Sequence, residues 1–315
     1  MKDELKIAVT VATYRRTAML RDLLDGLAAL VIPQGVAASL VIVDNDAAGS
    51  ARAVIEGVRA THPLPIHYAI EPERNIALAR NRGVAMALAA GAGFVAFIDD
   101  DEVPDRHWLE QLFRTIETTG AGVATGPVLA RLAAEVTAQW ARDFDPFTRH
   151  RHIASGTEVP TAETANALVA CSLFRELDPP FDPAFGRAGG SDSLFFLRAR
   201  RAGARIVWAD EAIVRETIPP SRASIRWLTQ RGFRVGNCGV YVERAALPLL
   251  VWAPVRLGRT AAHFAAGLAF LLVAPLAGRR AAFGALRHLS LASGALSALF
   301  GFRYFEYGSK RMVGT

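Results

Sequence analysis

Four consecutive carboxylates form the densest cluster of reactive side chains in this sequence. Residues 99–102 are Asp, Asp, Asp and Glu, and they directly follow the apolar run 94–98, which is typical of a buried β-strand. Adjacent carboxylates repel one another, so the cluster favours protonation or an added cation. A hard divalent ion, Mg²⁺ or Mn²⁺, meets that need and keeps positions for phosphates, which predicts a nucleotide diphosphate as ligand. A solvated acidic turn that caps the next helix fits the cluster alone equally well.

Strands and helices alternate through the first hundred residues. Apolar or β-branched runs predict four strands, at 7–12, 40–43, 66–70 and 94–98. Helical periodicity or Ala-rich composition predicts three intervening helices, at 17–30, 50–60 and 75–90. This order favours an α/β fold with a mainly parallel sheet flanked by helices. Polar residues follow three of the strands, so one edge of the sheet is expected to collect the ligand-binding groups.

The loop after the first strand contains no glycine between Val11 and Thr17. A dinucleotide-binding fold or a P-loop needs glycines there, so both are disfavoured. A nucleotidyltransferase shares the sheet and the metal chemistry, but it is expected to carry a Gly-rich basic loop at the same place. Without a backbone cradle a diphosphate needs a metal, and the aspartates supply its site.

Six segments in order resemble the signature of family 2 glycosyltransferases, and together they cover roughly residues 5–240. They read VTVATY at 9–14, VIVDN at 41–45, RNIALARNRG at 74–83, FIDDD at 97–101, FDPAFG at 181–186 and GGSDSL at 189–194. The resemblance implies a GT-A fold, a nucleotide-sugar donor, a divalent metal and inversion at the anomeric carbon. UDP is the favoured nucleotide.

On the donor side, the resemblance assigns Asp101 to the metal and eight residues to the nucleotide: Thr13, Tyr14, Arg15, Asp44, Asn75, Arg80, Asp99 and Asp100. Thr13 and Tyr14 would frame the base, and Asp99 would contact the ribose. Asp100 is expected to face away from its two neighbours, because successive strand residues alternate sides. A helix N-cap or turn is the open alternative for Asp44. The alternative for Arg80 is the solvated face of an Ala-rich helix.

Asp192 is the predicted catalytic base, since inversion requires a carboxylate within reach of the acceptor hydroxyl. It opens a predicted helix at 193–202, and Ser191 stands where the family more often has glutamate. That departure puts in doubt any acceptor contact made by the glutamate elsewhere. A plain helix N-cap at Asp192 or Ser191 is the alternative.

Glu216 follows the predicted strand 205–208, near the place where many relatives have a metal-binding His. It is predicted as an oxygen ligand of the metal, with an exposed carboxylate as the alternative. Basic and aromatic residues then recur at helical spacing and are predicted to contact a diphosphate: Arg222, Arg226, Trp227, Arg231 and Arg234. This stretch is similar to Arg-rich segments of exopolysaccharide glucosyltransferases of the succinoglycan type. A solvated basic helix face is its alternative.

The irregular segment 129–160 carries Trp140, Phe144 and Phe147 and is predicted to form a lip at the acceptor site. His150 and His152 lack further ligands at metal spacing, so zinc is not expected. Beyond this segment, Asn166 matches a family position near the acceptor pocket.

The C-terminal region contains long runs without charged residues. The run 260–278 contains no Asp, Glu, Lys or Arg and is long enough to span a hydrocarbon core; 289–302 is a second, shorter run. Basic residues beyond the first run, among them Lys310 and Arg311, oppose a single pass because of the positive-inside tendency. We therefore expect an in-plane or re-entrant helical hairpin on the cytoplasmic membrane face. A soluble helical pair packed on the catalytic domain is the alternative.

Composition and charge limit the number of domains, the partners and the compartment. With 315 residues, 51% of them apolar, the chain can form one large or two smaller domains. The predicted division is a nucleotide-sugar-binding half at 1–105, an acceptor-binding half at 106–240 and a membrane-associated region at 241–315. The net charge of +6 is scattered, so nucleic acid is not an expected partner. Cys171 and Cys238 lack metal or redox spacing, which indicates a reducing compartment.

These patterns predict an inverting glycosyltransferase that adds a sugar to a glycan on a polyprenyl diphosphate carrier in bacterial extracellular polysaccharide synthesis. A processive synthase is disfavoured, because only SIRW at 224–227 remains of its Gln-X-X-Arg-Trp motif. A catalytically idle scaffold that binds nucleotide sugar or glycan is the alternative. The intact aspartates argue against it, whereas Ser191 and the missing His leave it open.

Overall fold

The computed structural model describes residues 4–305 of the chain, so Lys310 and Arg311 lie outside the described residues. The chain forms two compact units. Among the described residues, unit 1 contains 4–131, 147–186 and 191–217, and unit 2 contains 132–146, 187–190 and 218–305. The division predicted from the sequence, at 105 and 240, stays a prediction.

The first half of unit 1 alternates strands with helices, as the sequence predicts. In chain order the elements are β1 (Leu5–Thr13), α1 (Thr17–Ala28), β2 (Val36–Asp44), α2 (Arg52–Arg59), β3 (Ile66–Ile70), α3 (Ile76–Ala89) and β4 (Phe94–Ile98). The four strands are parallel. The register pairs Thr13 with Asp44, so the polar residues that follow these strands share one edge of the sheet.

Shorter elements complete both units. They are β5 (Glu102–Pro104), α4 (Trp108–Thr119), β6 (Val123–Thr125), β7 (Val128–Leu132), α5 (Gln139–Phe144), β8 (Asn166–Ala170), α6 (Cys171–Glu176), a 3₁₀ turn (Pro183–Phe185), α7 (Ser191–Arg201), β9 (Ile206–Trp208) and β10 (Val214–Ile218). The main sheet has the order β3-β2-β1-β4-β8-β6-β9, and a second sheet has the order β5-β10-β7. β8 runs antiparallel to β4 and β6. The predicted α/β fold with a mainly parallel sheet is therefore confirmed.

Helices cover both faces of the central strands, which explains why these strands are apolar throughout. Val9 and Leu40 are completely buried, as are the leucines that α1 turns toward the sheet: Leu20, Leu23, Leu24 and Leu27. α3 approaches more closely through small residues. A Cβ at Gly83 would overlap the side chain of Thr10 on β1, so this position requires glycine.

Unit 2 contains three long helices, α8 (Ile225–Ala246), α9 (Leu249–Ala277) and α10 (Arg279–Leu299). α10 packs against the other two, and glycines permit the contact with α8, because a Cβ at Gly236 or Gly294 would overlap the backbone of the facing helix. Among residues 4–305, α9 is the one helix that is long and apolar enough to cross a membrane, and 11% of its apolar stretch is buried. The predicted C-terminal apolar hairpin is thus present as α9 and α10.

Candidate active site

The carboxylates after β4 differ sharply in exposure. The side chain of Asp99 is 42% exposed, whereas those of Asp100 and Asp101 are each 6% exposed. Partial burial of its carboxylate raises the pKa of Asp99 to about 6; the charges of Asp101 and Asp100 act in the same direction and Arg80 opposes them. Asp99 is therefore the carboxylate of this cluster that a ligand reaches most easily.

Asp100 and Asp101 lie against Arg16, a cation that the sequence motifs do not indicate. Nη1 of Arg16 lies 2.8 Å from Oδ1 of Asp100 and 3.1 Å from Oδ2 of Asp101. Thr13 donates a hydrogen bond of 2.8 Å to Oδ2 of Asp100. Burial raises the pKa of Asp100, and the charge of Arg16 opposes that shift. Asp100 thereby joins the ends of β1 and β4.

The loop after β1 also carries Tyr14 and Arg15. Arg15 has a φ of 54° and donates from Nε to Asp46, which follows β2, over 2.8 Å. This hydrogen bond lowers the pKa of Asp46. The guanidinium groups of Arg15 and Arg74 lie 5.1 and 4.5 Å from the ring centre of Tyr14. A base stacked on Tyr14 would meet this aromatic and basic group.

Asp44 is fully buried and makes the contacts of the turn alternative, because its Oδ1 accepts a 3.1 Å hydrogen bond from the backbone of Asp46. Its Oδ2 accepts hydrogen bonds from the backbone of Ala51 over 2.7 Å and from the Tyr68 hydroxyl over 3.0 Å. Burial, reinforced by the hydrogen bond to Asp44, raises the pKa of Tyr68 to about 12. Contact between Asp44 and a nucleotide stays a prediction.

Asn75 is likewise engaged in the fold, as the N-cap of α3. It accepts from the backbone of Ala77 over 3.1 Å and donates to the carbonyl of Pro183 over 3.0 Å. Asn81, which the sequence analysis missed, exchanges two hydrogen bonds with the backbone of Phe181, of 2.7 and 2.9 Å. These amides fix the loop that leads to α7. A nucleotide role for Asn75 stays a prediction.

Arg80 links the end of β4 with the start of α7. Its Nη2 lies 3.6 Å from Oδ1 of Asp99, and its Nη1 donates to Oγ of Ser191 over 3.4 Å. The Arg80 side chain is 13% exposed, so the solvated-face alternative is wrong. Ser191 is buried, and the half-buried Asp192 beside it accepts a 2.7 Å hydrogen bond from the backbone of Ser193. Asp99, the predicted ribose ligand, and Ser191, the neighbour of the predicted base, thus contact the same arginine of α3.

Arg149 contacts three glutamates. Its guanidinium nitrogens lie 3.3 Å from Glu102, 2.9 Å from Glu163 and 2.9 Å from Glu216. Glu102 and Glu216 face each other across β5 and β10. Burial, followed by the charge of Asp99, raises the pKa of Glu102 well above its ordinary value, and Arg149 opposes this shift. Like charges opposite each other destabilise a strand pair, so the cation between them stabilises it.

Glu102 also connects this group to the aspartates, because its Oε2 accepts a 2.9 Å hydrogen bond from the backbone of Asp99. The exposed alternative for Glu216 is wrong, since Glu216 is only 7% exposed. Its role as a metal ligand stays a prediction.

The aspartates carry oxygen atoms of the kind that bind a hard divalent ion. Within residues 4–305 there is no group of three or more His, Cys, Asp or Glu side chains that could hold a metal ion. Mg²⁺ is commonly held by one or two carboxylates together with substrate phosphates. Asp101 and the half-buried Asp99 offer such oxygen ligands.

Asn166 is an internal hydrogen-bonding residue, only 1% exposed. Its Oδ1 accepts from Nε1 of Trp108 over 2.8 Å, and its Nδ2 donates to the carbonyls of Pro127 and Ala212 over 2.9 and 2.7 Å. These contacts join α4, β8 and the segment before β10. The predicted acceptor contact of Asn166 stays untested.

The predicted basic and aromatic residues belong to unit 2. Ser224 caps α8 by accepting a 3.2 Å hydrogen bond from the backbone of Trp227, and the guanidinium of Arg231 lies 5.2 Å from the Trp227 ring centre. Arg226 is exposed; Arg222, Trp227, Arg231 and Arg234 are half-buried. Their diphosphate role stays a prediction.

The predicted acceptor lip divides between the units. In unit 2, Trp140 and Phe144 pack on Phe283, with ring centres 5.2 and 5.0 Å apart. Phe147 is buried in unit 1, where His150 lies 2.7 Å from a carboxylate oxygen of Asp210. His150 therefore pairs with an acid.

Known proteins resemble the chain over most of its length. Residues 8–178 match the family Glycosyl transferase family 2, and residues 94–303 match Glycosyl transferase family group 2. The chain is 36% identical over 315 residues to the succinoglycan biosynthesis protein ExoM of Rhizobium meliloti (strain 1021), covering 99% of this chain and 98% of ExoM. It is 25% identical over 236 residues to glycosyltransferase AglE of Haloferax volcanii, covering 75% of this chain and 73% of AglE.

Solved structures share the fold at lower identity. The S. aureus TarS 1–349 complex with UDP has a TM-score of 0.50 and 15% identity, covering 96% of this chain and 95% of TarS 1–349. The complex with UDP-GlcNAc has a TM-score of 0.51 and 15% identity, covering 98% and 99%. These likenesses support the predicted GT-A type of fold.

Proposed function

Because this chain belongs to glycosyl transferase family 2, we propose that it moves a sugar, with inversion, from a UDP donor to a lipid-linked glycan in bacterial extracellular polysaccharide synthesis. The likeness to a succinoglycan biosynthesis protein supports the polysaccharide pathway. TarS structures with bound UDP and UDP-GlcNAc favour UDP as the nucleotide.

One observation carries the proposal: the half-buried carboxylate of Asp99 lies beside Arg80, at the edge where β1, β2 and β4 end. Open α/β sheets bind ligands at this edge. Tyr14, with Arg74 over its ring, supplies a stacking surface for the base. Asp99 would accept from the ribose hydroxyls, and Arg80 would orient the donor between α3 and the start of α7.

The metal would be held by Asp101, with Asp99 beside it, and Mn²⁺ or Mg²⁺ supplies charge neutralisation for a departing diphosphate. Asp192 would take the proton of the acceptor hydroxyl as that oxygen attacks the anomeric carbon. Its position in the first turn of α7, beside the Ser191 that Arg80 contacts, supports this role.

The acceptor would be a glycan on a polyprenyl diphosphate, met at the cytoplasmic face of the membrane. The exposed apolar surface of α9 supports membrane association, because large side chains such as Leu250, Leu272 and Leu276 are 89%, 80% and 94% exposed. The arginines of α8 would serve the acceptor diphosphate.

Asp192→Asn tests the mechanism in detergent-purified protein. UDP release from a panel of UDP-sugars is measured with a polyprenyl-diphosphate-linked glycan acceptor, and UDP binding is measured in parallel. We expect Asp192→Asn to bind UDP as the wild type does and to lose about 10²-fold or more of acceptor-dependent release. Asp25→Asn, which removes a 69% exposed carboxylate on α1, is the control and should retain turnover.

Near wild-type turnover by Asp192→Asn would remove Asp192 from the mechanism. If the wild type binds UDP-sugar but transfers to no acceptor of this class, a scaffold that binds nucleotide sugar becomes the better account.

A further inference from the structure

Arg16 already occupies the carboxylate that the proposed function assigns to the metal. Its Nη1 lies 3.1 Å from Oδ2 of Asp101, and it reaches Asp100 at 2.8 Å. The Arg16 side chain is 38% exposed, whereas the Asp101 side chain is 6% exposed. The metal-ligand carboxylate is therefore buried and neutralised by a cation that is itself accessible from outside.

Asp100 does not depend on Arg16 alone. Thr13 donates to its Oδ2, the oxygen that Arg16 does not contact, so Asp100 keeps a partner when Arg16 moves. Arg16 stands at the N-cap of α1, and its side chain makes no capping hydrogen bond to that helix. Arg16 can also bind a phosphate, because a planar guanidinium contacts phosphate oxygens as readily as carboxylates.

A divalent ion that arrives alone would meet this guanidinium at Asp101. It would have to displace Arg16 without offering the guanidinium another anion, or bind beside a positive charge in a site of reduced dielectric constant. A nucleotide diphosphate changes that balance, because its oxygens offer Arg16 a new partner while they add ligands for the metal.

We propose that Arg16 makes metal binding conditional on the nucleotide diphosphate. Without the diphosphate, the guanidinium neutralises Asp101 and keeps the metal out; with it, Arg16 exchanges the carboxylate for phosphate oxygens and leaves Asp101 to the metal. This inference rests on the proposed donor site. It adds a positioning residue that orders the binding of metal and nucleotide.

The test is a direct titration of Mn²⁺ against full-length, detergent-purified protein, with free Mn²⁺ followed by electron paramagnetic resonance. Wild type, Arg16→Gln and Arg16→Lys are compared with and without UDP. Arg21→Gln is the matched control, because Arg21 is an exposed arginine of α1 that pairs with Asp25 at 3.6 Å. Melting curves confirm that each variant is folded.

In the wild type and the control, UDP should raise Mn²⁺ affinity strongly. In Arg16→Gln, Mn²⁺ should bind about tenfold tighter in the absence of UDP, and UDP should bind more weakly in the absence of metal. The factor by which UDP raises Mn²⁺ affinity should therefore fall about tenfold. Arg16→Lys keeps the positive charge but lacks the planar guanidinium. Its Mn²⁺ affinity without UDP should therefore lie between those of the wild type and Arg16→Gln.

Three outcomes overturn the inference, and they can be told apart. If wild type shows UDP-dependent Mn²⁺ binding and both Arg16 variants match its nucleotide-free Mn²⁺ affinity, Arg16 does not guard Asp101. If the wild type binds Mn²⁺ equally with and without UDP, metal binding does not depend on the nucleotide, although the proposed donor site is not contradicted. If it binds neither ligand, the proposed donor site fails as well.

Discussion

Arg15 and Arg16 are adjacent in sequence and hold acidic groups on opposite sides of β1. Arg15 pairs with Asp46, which follows β2, and Arg16 pairs with Asp100, which follows β4. β1 lies between those two strands in the sheet. The positive φ of Arg15 accompanies this divergence. A loop without glycine is therefore held in place by ion pairs to both neighbouring strands.

Asn166→Leu should destabilise the fold rather than weaken acceptor binding. The substitution leaves Nε1 of Trp108 and the carbonyls of Pro127 and Ala212 without the partner that Asn166 provides. Each such buried group costs about 1–3 kcal/mol, so the unfolding free energy should fall by about 3 kcal/mol or more. Chemical denaturation in detergent measures this change. A variant as stable as the wild type, with only a raised acceptor KM, would favour the acceptor role predicted from the sequence.

Arg149→Met should lower stability substantially, because it leaves Glu102 and Glu216 facing each other without the cation that lies between them. Breaking a buried ion pair by removing one partner costs about 3–5 kcal/mol. Arg205→Met is the control: Arg205 and Glu158 are 52% and 56% exposed and 3.9 Å apart, so its loss should change stability by about 1 kcal/mol or less.

The double variant Arg149→Met/Glu216→Gln should regain part of that loss, since it removes one of the uncompensated carboxylates. Equal destabilisation of Arg149→Met and Arg205→Met would show that the glutamates do not depend on Arg149.

Asp99→Asn should become more stable relative to the wild type as the pH rises. Burial raises the pKa of Asp99 from 3.8 to about 6, so the folded chain binds this proton more tightly than the unfolded chain does. The stability that this proton contributes is fully present below pH 3.8 and is lost as the pH rises to about 6. Asp99→Asn has no carboxylate at this position, so its stability does not fall in this way as the pH rises. Denaturation curves between about pH 4 and about pH 7 measure the difference in unfolding free energy between the variant and the wild type.

Asp25→Asn is the control for that series, because it removes an exposed carboxylate from the same unit. A stability difference between Asp99→Asn and the wild type that does not change across this pH range would contradict the raised pKa.

Charges placed on the exposed end of α9 should release the protein from membranes. Leu272 and Leu276 are 80% and 94% exposed, and burying a charge in hydrocarbon costs about 2.5–3.5 kcal/mol on insertion scales. Leu272→Glu/Leu276→Glu should therefore float less with lipid vesicles than the wild type does. The same charges at two exposed positions of unit 1, Ala60→Glu/Thr118→Glu, serve as the control. A wild-type protein that stays soluble beside vesicles would contradict membrane association.

Local patterns predicted the first half of the sheet closely. The predicted strands at 66–70 and 94–98 coincide with β3 and β4, because apolar runs bounded by polar residues mark buried strands. The first helix begins at Thr17 as predicted and ends at Ala28 rather than at residue 30. The edge that collects the polar residues followed from the alternation of strands and helices alone.

Long-range pairs could not be predicted in this way. Arg149 is 47 residues from Glu102 and 67 from Glu216, and no local pattern indicates that they meet. Arg16 was missed because its partner lies 84 residues away. For Asp44 and Asn75, sequence alone cannot decide between binding a ligand and fixing a turn or a helix start, because the same side chains serve both roles.

Calorimetric binding of UDP and GDP to detergent-purified protein, with and without Mn²⁺, tests the proposed donor site on wild type and on Asp101→Asn. We expect the wild type to bind UDP in an Mn²⁺-dependent manner and Asp101→Asn to lose this dependence while remaining folded. Failure of the folded wild type to bind either nucleotide, or equal Mn²⁺-dependent binding by Asp101→Asn, would contradict the proposed donor site.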